Sequence, residues 1–185
     1  MMRRRTFARE IAFQVVYRDD LNPPADPATD PNADRVVLSA DLLLDEGRHT
    51  RELAEFVRHL AELYDQEDAG PDDDRSLYSQ WLRAPELVEF TRSLIAGIRE
   101  HGAEIDAQIG RVAANWSLQR MAATDRNLLR LGAYEILFTD TPGKVAIDEA
   151  VELAKRFGGA QSAQFVNGIL DNLLHQKAKG LGIGN

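Results

Sequence analysis

The sequence predicts an all-α fold, a compact helical bundle of about six to eight helices, and three observations carry that prediction. Apolar residues recur at the helical period in several separate segments, no stretch keeps the strict alternation of a strand, and clusters of Gly, Pro and Asp punctuate the periodic runs. Each amphipathic segment must bury its apolar stripe against another, so a chain of them closes into a bundle.

The first helix runs from Arg3 to Tyr17, with Ala8, Ile11, Ala12, Val15 and Val16 on one face and Arg5 and Arg9 one turn apart on another, pointing away from the core. Residues 22–34, NPPADPATDPNAD, carry four prolines and almost no large apolar side chain. Such a stretch buries too little surface to offset chain entropy and is expected to be a flexible loop. Leu53, Phe56, Val57, Leu60, Leu63 and Tyr64 then follow the helical period up to a second acidic break, DAGPDDD, at 68–74. Leu42, Leu43 and Leu44 either begin that helix or form a separate turn before Gly47.

After Pro85, Leu87, Phe90, Leu94, Ile98 and Ile105 make one stripe that Ile109, Val112 and Trp116 continue, with Gly102 placed to bend or interrupt it. Ser117 is a candidate N-cap, and Trp116 and Met121 have the spacing of a hydrophobic staple. The next helix begins near Thr124, a candidate cap, with Asp125 where the helix dipole favours an acid. Leu128, Leu129, Leu131, Ala133, Ile136 and Leu137 cover more than one of its faces, which makes it the central helix. Thr141, Pro142 and Gly143 turn the chain into a helix carrying Ile147, Ala150, Val151, Ala154 and Phe157. Gly158 and Gly159 are candidates for a left-handed stop, Ser162 for an N-cap, and Phe165, Val166, Ile169, Leu170 and Leu173 restart the period. The tail GLGIGN has little to anchor it and is expected to fray.

Composition bounds the chemistry. With 185 residues and 44% hydrophobic content the chain supports one ordinary core, spanning 1–185 as a single domain with an acidic, Pro-rich loop near 19–40 and an acidic break near 67–75. No apolar run is long enough for a membrane span and the opening MMRRRTFAREIAF lacks a signal region, so no membrane partner and a cytoplasmic location are expected. Zero cysteines exclude disulfides and thiolate chemistry, and His49, His59, His101 and His175 lie too far apart in sequence to suggest a metal site. No cofactor is expected.

The net charge of −8 conceals an uneven distribution. Residues 19–89 hold 19 acidic and 6 basic side chains, net −13, whereas the remainder holds 11 acidic and 16 basic, net +5. The basic remainder can attract phosphate while the acidic segment repels nonspecific nucleic acid, so unaided RNA binding is expected to be modest.

Identities beyond the apolar stripes carry more. The string KVAIDEAVELAKRFGGAQSAQFVNGILD at 144–171 includes Lys144, Asp148, Glu149, Asn167 and Gly168, none of which core packing requires. It resembles the NusB family, which carries a KVAINEA-type helix followed by FG, a serine and FVNG-[VI]-LD. The opening AREIAFQVVY and the segment MAATDRNLLRLGAYEILF, with its YE-L ending, resemble the same family. The resemblance covers roughly residues 3–17 and 90–175 and is weakest across the long acidic middle.

That resemblance implies two packed helical subdomains and a transcription antitermination factor that joins the small-subunit ribosomal protein NusE. The pair then grips boxA single-stranded RNA in nascent ribosomal transcripts within the RNA polymerase antitermination complex. It implies Arg3, Arg4, Arg5 and Arg9 as phosphate and backbone contacts, Phe165 as a stacking or groove-lining residue and Tyr17 as its weaker neighbour. Guanidinium forks suit phosphates and aromatic faces suit unstacked bases. Taken alone, Phe165 is equally a core residue and Tyr17 the end of an apolar stripe. For NusE the resemblance points to Asp125, Arg130 and Glu135, although a first-turn acid and a helix pair explain Asp125 and Glu135 as well. Gln161 departs from the acid common in the family before this serine. The oligomeric state, monomer or homodimer, stays open.

Two other functions compete. The same helical fold fronts some ribosomal RNA cytosine methyltransferases, but such an enzyme needs a glycine-rich strand-to-helix turn and a nucleophilic cysteine, and neither is present. The other is a helical scaffold that binds only protein, which the acidic segment would suit.

Overall fold

A computed structural model describes residues 4–22, 84–113 and 116–180. The expected loop at 22–34 beyond Asn22, the helix at 53–64, the break at 68–74, Arg3 and the last five residues lie outside the described residues.

Among the described residues the chain forms six α-helices and no strand: α1 Arg4–Leu21, α2 Pro85–Glu100, α3 Gly102–Val112, α4 Ala123–Phe138, α5 Gly143–Phe157 and α6 Ser162–Ala178. A 3-10 turn at Leu118–Arg120 precedes α4. The chain divides into two compact units, one of residues 1–11 and 22–92, the other of 12–21 and 93–185.

In the first unit, Phe7, Ala8 and Ile11 of α1 and Leu87 of α2 are buried. The buried Thr91 donates its hydroxyl to the Leu87 carbonyl at 2.8 Å, which satisfies a polar group inside the helix.

In the second unit α4 packs against α3, α5 and α6, which also pack on one another as α5 on α6 and α3 on α6. The reason lies in the composition of α4. Leu128, Leu129, Leu131, Ala133 and Ile136 are all buried, an apolar surface wider than one neighbour can cover. Gly132 lets α6 come close, because a Cβ there would stand 2.5 Å from Leu170 Cδ1. The fully buried Asn127 is satisfied: its amide donates to Asp20 Oδ2 and to the Ala123 carbonyl, both at 2.9 Å.

Several local expectations are corrected. The central helix starts at Ala123, with Ala122 in the N-cap position and no side-chain cap, so Thr124 is already inside the first turn. Ser117 precedes only the 3-10 turn and caps nothing with its hydroxyl, which instead accepts from Arg120 Nε at 3.3 Å. Ser162 is the first residue of α6 rather than its cap; its hydroxyl accepts from the Gly159 N–H at 2.9 Å and so closes the preceding turn. Gly158 is extended (φ −93°, ψ 178°), not left-handed. It must be glycine for another reason: a Cβ would lie 2.4 Å from Ser162 Cβ and 2.6 Å from the Ala154 carbonyl. Among the described residues the left-handed glycine is Gly180 (φ 69°), at the end of α6.

Candidate nucleic-acid interface

The N-terminal arginines divide into two kinds. Arg4 and Arg5 are exposed, as the helical period implies. Arg9 is not on the solvent face: it is 2% exposed, which corrects the expectation that it points away from the core. Phe90 of α2 explains the difference. The Arg5 and Arg9 guanidinium carbons lie over its ring, 5.2 and 5.3 Å from the centroid, so two cations one helical turn apart share one aromatic ring. Arg4, Arg5, Ala8, Leu87, Phe90 and Glu86 line a cavity of about 340 Å³, apolar at Ala8, Leu87 and Phe90 and charged at the exposed Arg4, Arg5 and Glu86. That combination suits a planar, phosphate-bearing ligand. Local sequence hid the role of Phe90, which looked like one more member of an apolar stripe.

A second aromatic group belongs to the other unit. Tyr17 is half-buried with its ring 5.9 Å from Phe13, which lies 5.5 Å from Phe157. Tyr17 therefore ends an internal aromatic row. Phe165, near the start of α6, is half-buried and meets Trp116 edge-on at 5.6 Å. Trp116 is 54% exposed while Met121 is buried, so the indole turns to Phe165 rather than closing a staple. Beside Phe165, Gly168 opens onto free space, with nothing within 4 Å of where a Cβ would stand.

The three residues proposed from resemblance as the NusE face sit on α4 with different surroundings. Glu135 is 1% exposed and accepts the Thr141 hydroxyl at 3.1 Å, which corrects its placement on a partner-facing surface. Arg130 lies inside an ion network: Nε and Nη2 hold the two Asp106 oxygens, each at 2.8 Å, and Nη1 reaches Asp20 at 2.7 Å. Its hydrogen bond with Asp106 raises its pKa, against the opposing effect of burial. Burial alone would raise the Asp20 carboxyl, but hydrogen bonds from Arg126, Arg130 and Asn127 outweigh it and hold the group at about 2. Asp125 remains partly exposed in the first turn of α4.

The NusB family model matches residues 48–175, more than half of the chain. The chain belongs to the NusB family. A transcription antitermination protein NusB from Myxococcus xanthus is 44% identical over 124 residues, 63% of this chain and 89% of that protein. One from Desulforamulus reducens is 48% identical over 94 residues, 50% of this chain and 66% of that protein. The NusB fold is shared with a chain in the crystal structure of antitermination factors NusB and NusE with dsRNA, at 24% identity, TM-score 0.56 and 95% and 98% coverage of the two chains. A chain in the crystal structure of a plectonemic RNA supercoil has the same fold, at 23% identity, TM-score 0.61 and 96% and 98% coverage. Among the described residues no helix is long and apolar enough to cross a membrane.

Proposed function

We propose that this NusB-family chain is a transcription antitermination factor that binds boxA single-stranded RNA of nascent ribosomal transcripts together with NusE, as part of the RNA polymerase antitermination complex in the cytoplasm. Membership of the family supports the role, and the observation that carries the RNA contact is the pair of exposed arginines, Arg4 and Arg5, lining the Phe90 cavity. Guanidinium groups hold phosphates while the apolar wall of the cavity receives a base or ribose, with no covalent step and no cofactor needed. Phe165 adds a partly exposed ring in the other unit. Arg9 serves by holding Phe90 from beneath the surface. For NusE, Asp125 keeps a partly exposed position with its Oδ1 buried, whereas Arg130 and Glu135 act through the stability of α4.

The test is fluorescence anisotropy with a boxA-type RNA and a scrambled RNA of equal length, with and without NusE, alongside mass measurement of the free protein and the complex. Preference for boxA that strengthens with NusE is the expected result. Equal affinity for both RNAs in every condition defeats the reading, and NusE binding without any RNA binding favours the protein-only scaffold.

A further inference from the structure

Trp116 stands out because folding does not account for it. An indole is the largest apolar side chain available, yet this one is 54% exposed on a connection between α3 and α4. The described residues on either side of it are held in place. The Trp116 N–H donates to the Ala113 carbonyl at 2.8 Å, Asn172 of α6 donates to the Val112 carbonyl at 3.2 Å, and Arg126 Nη1 donates to the carbonyls of Leu118 at 3.1 Å and Met121 at 3.2 Å. The backbone is tied down on both sides of the exposed ring.

Its surroundings narrow what it meets. Phe165 supports the indole edge-on at 5.6 Å, a geometry that leaves a face of the pair open. Arg120 reaches Ser117, so a cation stands beside the next residue in the chain. At the start of α6, the exposed amide of Gln161 stands one turn before Phe165, and Gly168 one turn on leaves room for close approach to the backbone. A protein-docking surface would be expected to extend the apolar area. Here one aromatic pair lies near an amide and a cation, the composition that receives an unpaired base.

We infer that Trp116 is a base-stacking residue, forming with Phe165 a rigid platform for one nucleotide of single-stranded RNA. The inference rests on the RNA-binding reading above and adds to it a contact in the second unit. Stacking on the indole is tolerant of base identity, so Trp116 contributes affinity, and the Gln161 amide one turn before Phe165 supplies hydrogen bonds that choose the base.

The test compares the parent with Trp116→Phe and Trp116→Ala, titrated with a boxA-type single-stranded RNA while NusE is present and absent. The expected result is quenching of tryptophan emission by RNA in the parent that is lost in Trp116→Phe, which separates Trp116 from Trp81. Trp116→Ala lowers RNA affinity about 5- to 100-fold at an unchanged melting temperature, and Trp116→Phe restores most of it. Tight RNA binding by the parent with no quenching from Trp116 and full affinity in Trp116→Ala overturns the platform alone. Quenching by NusE without RNA overturns it in favour of a protein contact. A parent that binds no RNA under any condition overturns both this inference and the function on which it rests.

Discussion

Asp20, near the end of α1, and Arg130, in the middle of α4, meet at 2.7 Å across 110 positions of sequence. The same carboxylate accepts Arg126 Nε at 3.1 Å and the Asn127 amide at 2.9 Å, and Arg130 passes the tie on to Asp106 of α3. One acid thus fastens the end of α1 to α4 and, through Arg130, to α3. Asp19 beside it pairs with Arg99 of α2. The Asp20 side chain is only 12% exposed, so losing it takes a shared carboxylate from two arginines in a setting poor in water, leaving Arg126 only backbone carbonyls and Arg130 only Asp106 as the acid it pairs with. Asp20→Ala is expected to cost about 3 kcal/mol, seen as an earlier midpoint in urea unfolding with an unchanged slope.

The same carboxylate makes stability depend on acid. Its folded pKa of about 2 lies below the ordinary 3.8, so its contribution is fully present above the unfolded value and is lost as pH falls through the folded one. That contribution is about 2 kcal/mol at neutral pH. Chemical unfolding measured from about pH 6 down to about pH 2 is expected to show the parent losing its advantage over Asp20→Asn, chiefly below about pH 4. A constant difference between the two proteins would contradict the assignment.

The arginines of α1 should separate by burial. Arg4→Ala with Arg5→Ala lowers the melting temperature only slightly, since the Arg5 cation over Phe90 is exposed, and weakens RNA binding, lowering the dependence of log affinity on log salt by about 0.7 per phosphate contact removed. Arg9→Ala instead lowers the melting temperature, because its cation lies over Phe90 and its stem is packed. Equal effects of all three on stability would remove the distinction.

Phe165 decides between stacking and packing. Being half-buried, it is expected to lose RNA affinity on change to alanine with a melting drop well short of the roughly 3 to 5 kcal/mol of a core phenylalanine. A full core-sized loss in calorimetry would assign it to the interior.

Two glycines of the recognised motif should respond in opposite ways. Gly158→Ala drives a Cβ into Ser162 and the Ala154 carbonyl and is expected to destabilise by about 1 to 3 kcal/mol. Gly168→Ala meets nothing and, within a helix, is expected to stabilise by about 0.5 to 1 kcal/mol. If RNA approaches the α6 backbone there, the second variant binds RNA less well while melting higher, a combination calorimetry and anisotropy read together.

Helical identity was legible in the sequence. The last two helices were expected from Ile147 to Phe157 and from Phe165 to Leu173, and they occupy Gly143–Phe157 and Ser162–Ala178, because apolar periodicity is a local property that burial then uses. The family was legible too, in polar identities that packing does not need. The first helix runs four residues past Tyr17 because its last turn carries Asp19 and Asp20, whose partners Arg99, Arg126 and Arg130 lie 80 to 110 positions away. Distance in sequence hides such ties. Arg9 and Glu135 went inside and Trp116 stayed outside for the same reason: a charged group is buried where a ring or hydroxyl from another segment receives it, and an aromatic one stays exposed where no segment covers it. Periodicity assigns a residue to a face of its own helix, but only the packing of other helices decides whether that face meets water.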